Sequence, residues 1–330
     1  MPPLDMNMNM NMALPSPVGA FARFRPRYNS DLESLLVDTT PPSTKLVPPI
    51  SGAAQNYPSF HPYWDAELQS YMYLADYITK TASWRTDCSN AALNPNATWG
   101  GKATIPPTPS KDMTQGQLGG EVLQILQFAL ERDDRFAEVI DQDDADGAIN
   151  YWLGMLKISP ARHPGTYLMV QVARRIGEHV VMCLKGDFHS PRPSQLSPAI
   201  TPMIDPPATP TFPAGHAVQS YLISYLLAYS LADALGNTNL PQHMLPAPTS
   251  TLVQFLANAP TGALFDLADR VSENRIVAGV HFPTDIAAGQ AVAIQIFIGL
   301  QNTIVWTGPA QPWLPCLRDA VRTEFPQYTK

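Results

Sequence analysis

The chain has 330 residues, of which 45% are hydrophobic and only 15% charged, and its net charge is −7 at pH 7. That is enough apolar material for one large domain or two small ones, and the acidic balance excludes a generic nucleic-acid binder, which would present a basic patch or stripe. Three cysteines, Cys88, Cys183 and Cys316, are odd in number and too far apart for a disulfide framework or paired metal-ligand spacing.

The first sixty residues are rich in Pro, Ser and Asn and begin with a Met-Asn alternation. They read as an extended or partly disordered arm (1–60) ahead of a single helical catalytic domain (61–330). No basic start or continuous apolar region marks a secretory signal, so a cytoplasmic location is expected. A helical pattern runs from Tyr63 to about Trp84. Residues 94–112 contain Pro95, Pro106, Pro107 and Pro109 and read as a loop. Asn96-Ala97-Thr98 matches a glycosylation acceptor, a chance match if the chain is not secreted.

Leu118 to about Ile140 is strongly helix-like. The acidic run Asp141–Gly147 resembles a calcium loop only in part, because Gln142 and Leu153 stand where Asp and Glu ligands belong. It reads instead as a solvated connection between helices. From about Gly165 to Lys185, Leu168, Val172, Ile176, Val180 and Leu184 recur every four residues and define one buried face. Arg174 and Arg175 fall on the wet face, and Cys183 reads as core.

Residues 186–213 read as a Pro-rich loop. A near-continuous apolar helix starts after Pro213, a further loop surrounds 237–250, and a last apolar stretch runs from Ala287 to Trp306. Tyr221–Leu235 is short for a bilayer span, and the last stretch is interrupted by Gln290, Gln295 and Gln301, so both read as buried helices. No strand-rich region and no repeat is visible. The fold class is all-α, a helical bundle with long Pro-rich loops; proline, at 34 residues, is at about twice its usual share.

Three segments carry chemistry. In the first, Lys185-Gly-Asp-Phe-His-Ser-Pro-Arg192-Pro193, Lys185 closes the apolar-striped helix and the prolines hold Arg192 in an extended stretch. Two cations can then approach one point, Arg as a rigid fork of donors and Lys as a compact charge. In the second, Thr209-Pro-Thr-Phe-Pro213-Ala214-Gly215-His216, a helix opens at the Gly-His pair. Gly215 permits close backbone approach, free N–H groups favour an anion, and His216 is placed there as acid or base. In the third, Asn274-Arg275-Ile-Val-Ala-Gly-Val-His281-Phe-Pro-Thr-Asp285, His281 offers a ring nitrogen as nucleophile or oxyanion ligand. Asp285, four residues on, can support it by a hydrogen bond or as a charge at a helix N-terminus.

Together these segments resemble the superfamily that joins vanadium-dependent haloperoxidases with type 2 phosphatidic acid phosphatases and bacterial non-specific acid phosphatases. Its pattern is K-x6-R-P, P-S-G-H and S-R-x5-H-x3-D. The first segment matches fully, Ala214 replaces the Ser of the second, and Asn274 replaces the Ser of the third. The resemblance covers residues 185–285 and implies the helical fold of that superfamily. It implies that Lys185, Arg192, Gly215 and Arg275 hold the equatorial oxygens of an oxyanion. His281 would bind vanadate or become a phosphohistidine, and His216 would be the general acid–base. Ala214 belongs to the same cradle but lacks a hydroxyl donor; a hydrogen bond to a charged group is worth about 1.5–3 kcal/mol, so anion affinity would fall by one or two orders of magnitude.

The resemblance implies two enzymes and one non-enzyme. In a haloperoxidase, vanadate on His281 would take up hydrogen peroxide, Lys185 would polarise the peroxide oxygen, and a halide would leave as hypohalous acid. In a phosphatase, His281 would attack a phosphate ester while His216 protonates the leaving alkoxide. An oxyanion binder without turnover is kept open by Ala214. The Pro210-Thr-Phe-Pro-Ala-Gly-His and Ala278-Gly-Val-His-Phe runs, the chain length, and the lack of a secretion signal and of spanning helices favour the haloperoxidase. Thr209, at the place resembling the halide-side aromatic or His, shifts the expectation toward iodide or bromide over chloride. A homodimer is compatible with the resemblance. No G-x-S-x-G, H-E-x-x-H, Gly-rich phosphate loop or C-x-x-C is present.

Overall fold

The computed structural model describes residues 65–93, 107–143, 145–234 and 262–302, with positions 317, 320, 321 and 323–325. The arm over 1–60, the loop around 237–250, Asn96 and Cys316 lie outside the described residues. Among those described there is no strand. The all-α expectation holds.

Among the described residues ten α-helices follow in order: α1 Ala66–Lys80, α2 Trp84–Ala92, α3 Gln115–Phe128, α4 Arg132–Asp141, α5 Ala145–Met155, α6 Pro164–Phe188, the short α7 Pro193–Leu196, α8 Gly215–Ala234, α9 Ala263–Val277 and α10 Pro283–Asn302. Their starts follow local chemistry. Asp65 accepts the Glu67 N–H ahead of α1, at 2.9 Å. Thr114 and Gln117 form a capping box at α3. Pro164 opens α6 at the position where a missing N–H costs nothing. His189 ends α6 in the left-handed conformation, φ 49°, its N–H returning to the Lys185 carbonyl.

The core is built around α8, which is apolar on every side and packs against α6, α9 and α10 at once. Leu222, Leu226 and Leu227 are at most 1% exposed, each contributing about 1.5–3 kcal/mol of burial. The predicted face of α6 (Leu168, Val172, Ile176, Val180, Leu184) is buried throughout. α1 lies along α6, and α2 bridges α6 and α10. α10 is long and apolar enough to cross a membrane by length and composition, and 61% of that window is buried inside the protein, consistent with its reading as a core helix.

Two small apolar clusters hold the turn between α9 and α10. Ile276 and Phe282 pack with Ile125 and Ile200, and Val277, Ala278 and Val280 pack with Val139. Gly279 sits in that turn at φ +77°, where a side chain is strained and a Cβ would come within 3.0 Å of the Arg132 guanidinium. This turn delivers the third sequence segment to its place.

Several local expectations are corrected. The pattern over 63–84 is two helices broken at 81–83, and that over 118–140 is α3 and α4 joined by a 3₁₀ turn at Ala129–Glu131. Within the run 141–147, Asp141 closes α4 and 145–147 open α5, and Gln142 is completely buried rather than solvated. α6 continues to Phe188, and α7 interrupts the supposed loop. Arg174 and Arg175 are not on a wet face. α1 covers them, with Arg175 donating to Glu67 at 2.7 Å and stacking over the Tyr71 ring. Cys183 is half-buried rather than core, 3.7 Å from His179.

Candidate active site

The three segments meet at the start of α8. Lys185, one turn before the end of α6, is 4% exposed. Its ammonium donates to the carbonyls of Pro210 and Thr211. Burial, and then the Arg192 charge, hold it well below the ordinary lysine range, while Asp285 pulls the other way.

Arg192 precedes Pro193 in an extended conformation, as the flanking prolines predict. Its guanidinium is spread over one wall of the site. Nε donates to the Thr209 carbonyl at 3.0 Å, Nη1 to the Val280 carbonyl at 2.8 Å, and Nη2 to the Thr209 hydroxyl at 3.3 Å. Nη1 also stands 3.2 Å from Nε2 of His281. Burial lowers its pKa to about 10.

His281 is 4% exposed. Its Nδ1 lies 3.1 Å from Oδ2 of Asp285 and 3.1 Å from the Thr211 hydroxyl. Asp285 is fully buried, and the same Oδ2 accepts the Thr211 hydroxyl at 2.5 Å and the Phe282 N–H at 2.8 Å. With Nδ1–H directed at the carboxylate, Nε2 carries the lone pair, and Arg192 donates to it. Burial first, then Arg192, Lys185 and Arg275, push the His281 pKa well down. Burial pushes Asp285 up, against the pull of its donors. Both placements open to Asp285 are found: it is hydrogen-bonded to the imidazole and is an acidic residue in the first turn of α10.

Ala214 is fully buried and donates its N–H to the Asp285 carbonyl at 3.0 Å, joining the start of α8 to that of α10. The two helix starts approach closely because α10 carries Gly289, where a Cβ would lie 2.7 Å from Ala217 Cβ and 2.8 Å from the Ala214 carbonyl. At Gly215 a Cβ would meet only Val181, at 3.5 Å, an ordinary contact. Packing within the protein therefore does not demand glycine at 215.

His216 and Arg275 form the other wall, and both lean on the end of α4. His216 Nε2 is 2.8 Å from the Gln142 carbonyl. A carbonyl only accepts, so Nε2 carries the hydrogen and Nδ1 the lone pair. Burial first, then Arg275, lower the His216 pKa to about 3; the Gln142 bond opposes this, and His281 and Lys185 add to the lowering. Arg275, 1% exposed, donates from Nη2 to the Val139 carbonyl at 3.0 Å and faces Asp143 at 3.8 Å. Its Nε is buried without a partner, and burial lowers its pKa to about 10.

All the predicted site residues are therefore in one region. Lys185, Arg192, His281 and Asp285 are joined by direct or shared hydrogen bonds through Thr209, Pro210 and Thr211, while His216 and Arg275 act on them through space. Sequence reasoning missed Thr211, which binds Asp285 and His281, although it lies inside the second segment. It also missed Gln142 and Asp143, hidden in the acidic run, and Glu121. The Glu121 carboxylate accepts the Thr284 N–H at 3.1 Å, and burial raises its pKa to about 7.

Residues 166–307 match the family model described as the PAP2 superfamily. The match covers 142 of the 330 residues, and over that stretch the chain is similar to this superfamily. The superfamily includes vanadium haloperoxidases and phosphatidic acid phosphatase type 2, and the similarity supports phosphatase- or haloperoxidase-type activity in general. No curated protein matches the chain. The matched stretch contains Lys185, Arg192, His216, Arg275, His281 and Asp285. The α4 groups that hold His216 and Arg275 lie upstream of the PAP2 match.

Proposed function

We propose that this PAP2-like domain holds a tetrahedral oxyanion against His281 and works as a vanadate-dependent haloperoxidase, oxidising iodide or bromide with hydrogen peroxide to hypohalous acid. The supporting observation is a buried excess of positive charge. Lys185, Arg192 and Arg275 are each at most 4% exposed, and the one fully buried carboxylate among them is Asp285. Desolvated cations are costly without a counter-charge, and a doubly charged oxyanion would supply it.

The donor set fits vanadate. Nε2 of His281 would bind it, and Lys185, Arg192, Arg275 and the main chain at Ala214–Gly215 would hold its oxygens. The unspent Nε of Arg275 and the space at Gly215 are consistent with this. When bound, vanadate supplies a Lewis-acidic centre that activates peroxide toward a halide.

The protein's own groups have definite tasks. Asp285 fixes the His281 tautomer and orients its ring. Lys185 donates a hydrogen bond to a reacting oxygen. His216, neutral and with Nδ1 bare, accepts a proton from incoming hydrogen peroxide. The depth of the site favours small reactants and excludes bulk water.

The phosphatase reading uses the same His281 nitrogen as a nucleophile on phosphorus. It needs His216 as a proton donor to the leaving alkoxide; burial keeps that ring neutral in the oxyanion-free site, and a bound anion would favour its protonation. Binding without turnover is favoured by Ala214 alone. The test is halogenation of a dye by peroxide, with and without orthovanadate, beside hydrolysis of p-nitrophenyl phosphate. Vanadate-stimulated halogenation that is lost in His281→Ala is expected. Clear ester hydrolysis with no vanadate-stimulated halogenation would establish the phosphatase, and vanadate binding with neither reaction would establish the binder.

A further inference from the structure

We infer that Asn274 is a positioning residue for His216, acting through Gln142. The proposal takes from the proposed function only that His216 faces the reacting groups. Asn274 stands on α9, next to Arg275, and is fully buried, as is Gln142. Its amide spends both hydrogens on α4 and the residue after it: Nδ2 donates to Gln142 Oε1 at 2.9 Å and to Glu138 Oε2 at 3.0 Å. Its Oδ1 accepts from Arg135 at 3.2 Å. Glu138 is in turn held by Arg270 through two bonds of 2.8 and 2.9 Å.

Gln142 caps α4, its N–H returning to the Glu138 carbonyl at 2.9 Å. The side-chain bond to Asn274 anchors it to α9, and the Gln142 carbonyl then meets His216 Nε2 at 2.8 Å. That carbonyl decides which ring nitrogen of His216 carries the hydrogen and which is bare. A buried imidazole without such a partner can rotate or change tautomer, and partners of this kind are typically worth 10–100-fold in activity.

Asn is suited to this place in a way the serine of the family pattern is not. A hydroxyl has one hydrogen and cannot hold Gln142 and Glu138 at once, whereas the carboxamide donates two and accepts at its oxygen. The departure at 274 thus has a function in this chain: it ties His216 to a segment outside the PAP2 match.

The experiment uses the full chain labelled with 15N-histidine and free of oxyanion, with the His216 signals assigned against His216→Gln. In the wild type His216 is expected as the neutral ring with Nε2 protonated. In Asn274→Ser the signals should move to a tautomer mixture, and kcat for whichever reaction the wild type performs should fall on the order of 10-fold with KM nearly unchanged. Gln142→Ala removes the tether from the other side, keeps the Asn274 bonds to Glu138 and Arg135, and should give the same loss. The double variant should lose little more than either single one. Unchanged ring signals and kcat in both single variants, or fully additive losses, would overturn the proposal. The nitrogen signals are read without turnover, so failure of the haloperoxidase reading leaves this test intact.

Discussion

Binding of an oxyanion should pull protons into the site. His216 is neutral near pH 7 because burial and Arg275 hold its pKa at about 3. One negative charge at about 4 Å is worth about 4 kcal/mol at an effective dielectric of 20, or about 3 pH units on a neighbouring base. A bound anion therefore raises the His216 pKa from its depressed value, and a doubly charged anion raises it more than a singly charged one. Lys185, also held down by burial, should gain further protonation, whereas Arg192 and Arg275, at about 10, are already charged. Titration calorimetry with tungstate, which carries no titrating proton of its own near neutrality, in buffers of different ionisation enthalpy reads the proton number directly. Uptake close to one proton or more is expected at pH 6.5, falling by about one in His216→Gln. Zero uptake or net release would refute the idea that these groups share one anion pocket.

The depressed imidazole also couples to folding. The unfolded chain protonates His216 below its ordinary 6.5 while the folded chain does not until about 3, so this stability is present above pH 6.5 and lost progressively as pH falls. His281 has the same sign, and Asp285 and Glu121 the opposite one; the oxyanion-free Tm of His216→Gln should therefore fall less between pH 6.5 and 4 than that of the wild type, and added oxyanion should raise the wild-type Tm there. Ala214→Ser supplies the missing hydroxyl and should tighten oxyanion binding by about one to two orders of magnitude, read as a dissociation constant; no change would mean that position 214 faces away from the anion. Gly289→Ala drives a methyl into the Ala214 carbonyl and should cost about 1–3 kcal/mol, measured by denaturant unfolding. Asp285→Asn can keep an oxygen where Oδ2 accepts from Thr211 and Phe282 but loses the negative charge beside the His281 ring, and activity should drop by about 10–100-fold.

The helices and the site were legible in the sequence to different depths. The buried face of α6 is visible because five apolar residues recur at helical spacing, and Asp285 is visible because one helical turn separates it from His281. Arg174 and Arg175 were misplaced for a physical reason. Periodicity reports which face of α6 is apolar, but α1 arrives from a hundred residues away with Glu67 and Tyr71 to cover the polar side. Gln142 escaped notice because it serves His216 through its main-chain carbonyl, and a carbonyl leaves no side-chain signature. Asn274 was visible as a departure from the family pattern, but its meaning depends on Glu138 and Gln142, which only the packing of α9 on α4 brings near.

The choice of partners around the three cations explains how a buried pocket can stay positive. Lys185 leans on the carbonyls of Pro210 and Thr211, Arg192 on those of Thr209 and Val280, and Arg275 on that of Val139. Carbonyls satisfy donors without neutralising charge, so desolvation is offset by hydrogen bonds and the field survives. Arg275 also faces the half-exposed Asp143 at 3.8 Å; had carboxylates replaced the carbonyls throughout, each cation would be paired and the pocket closed to an anion. Proline at 210 and 213 bends the 209–213 stretch away from helix and turns three successive carbonyls toward Lys185 and Arg192. In this fold the Pro-rich segment is thus the element that keeps the Arg192 guanidinium and the Lys185 ammonium available to one oxyanion.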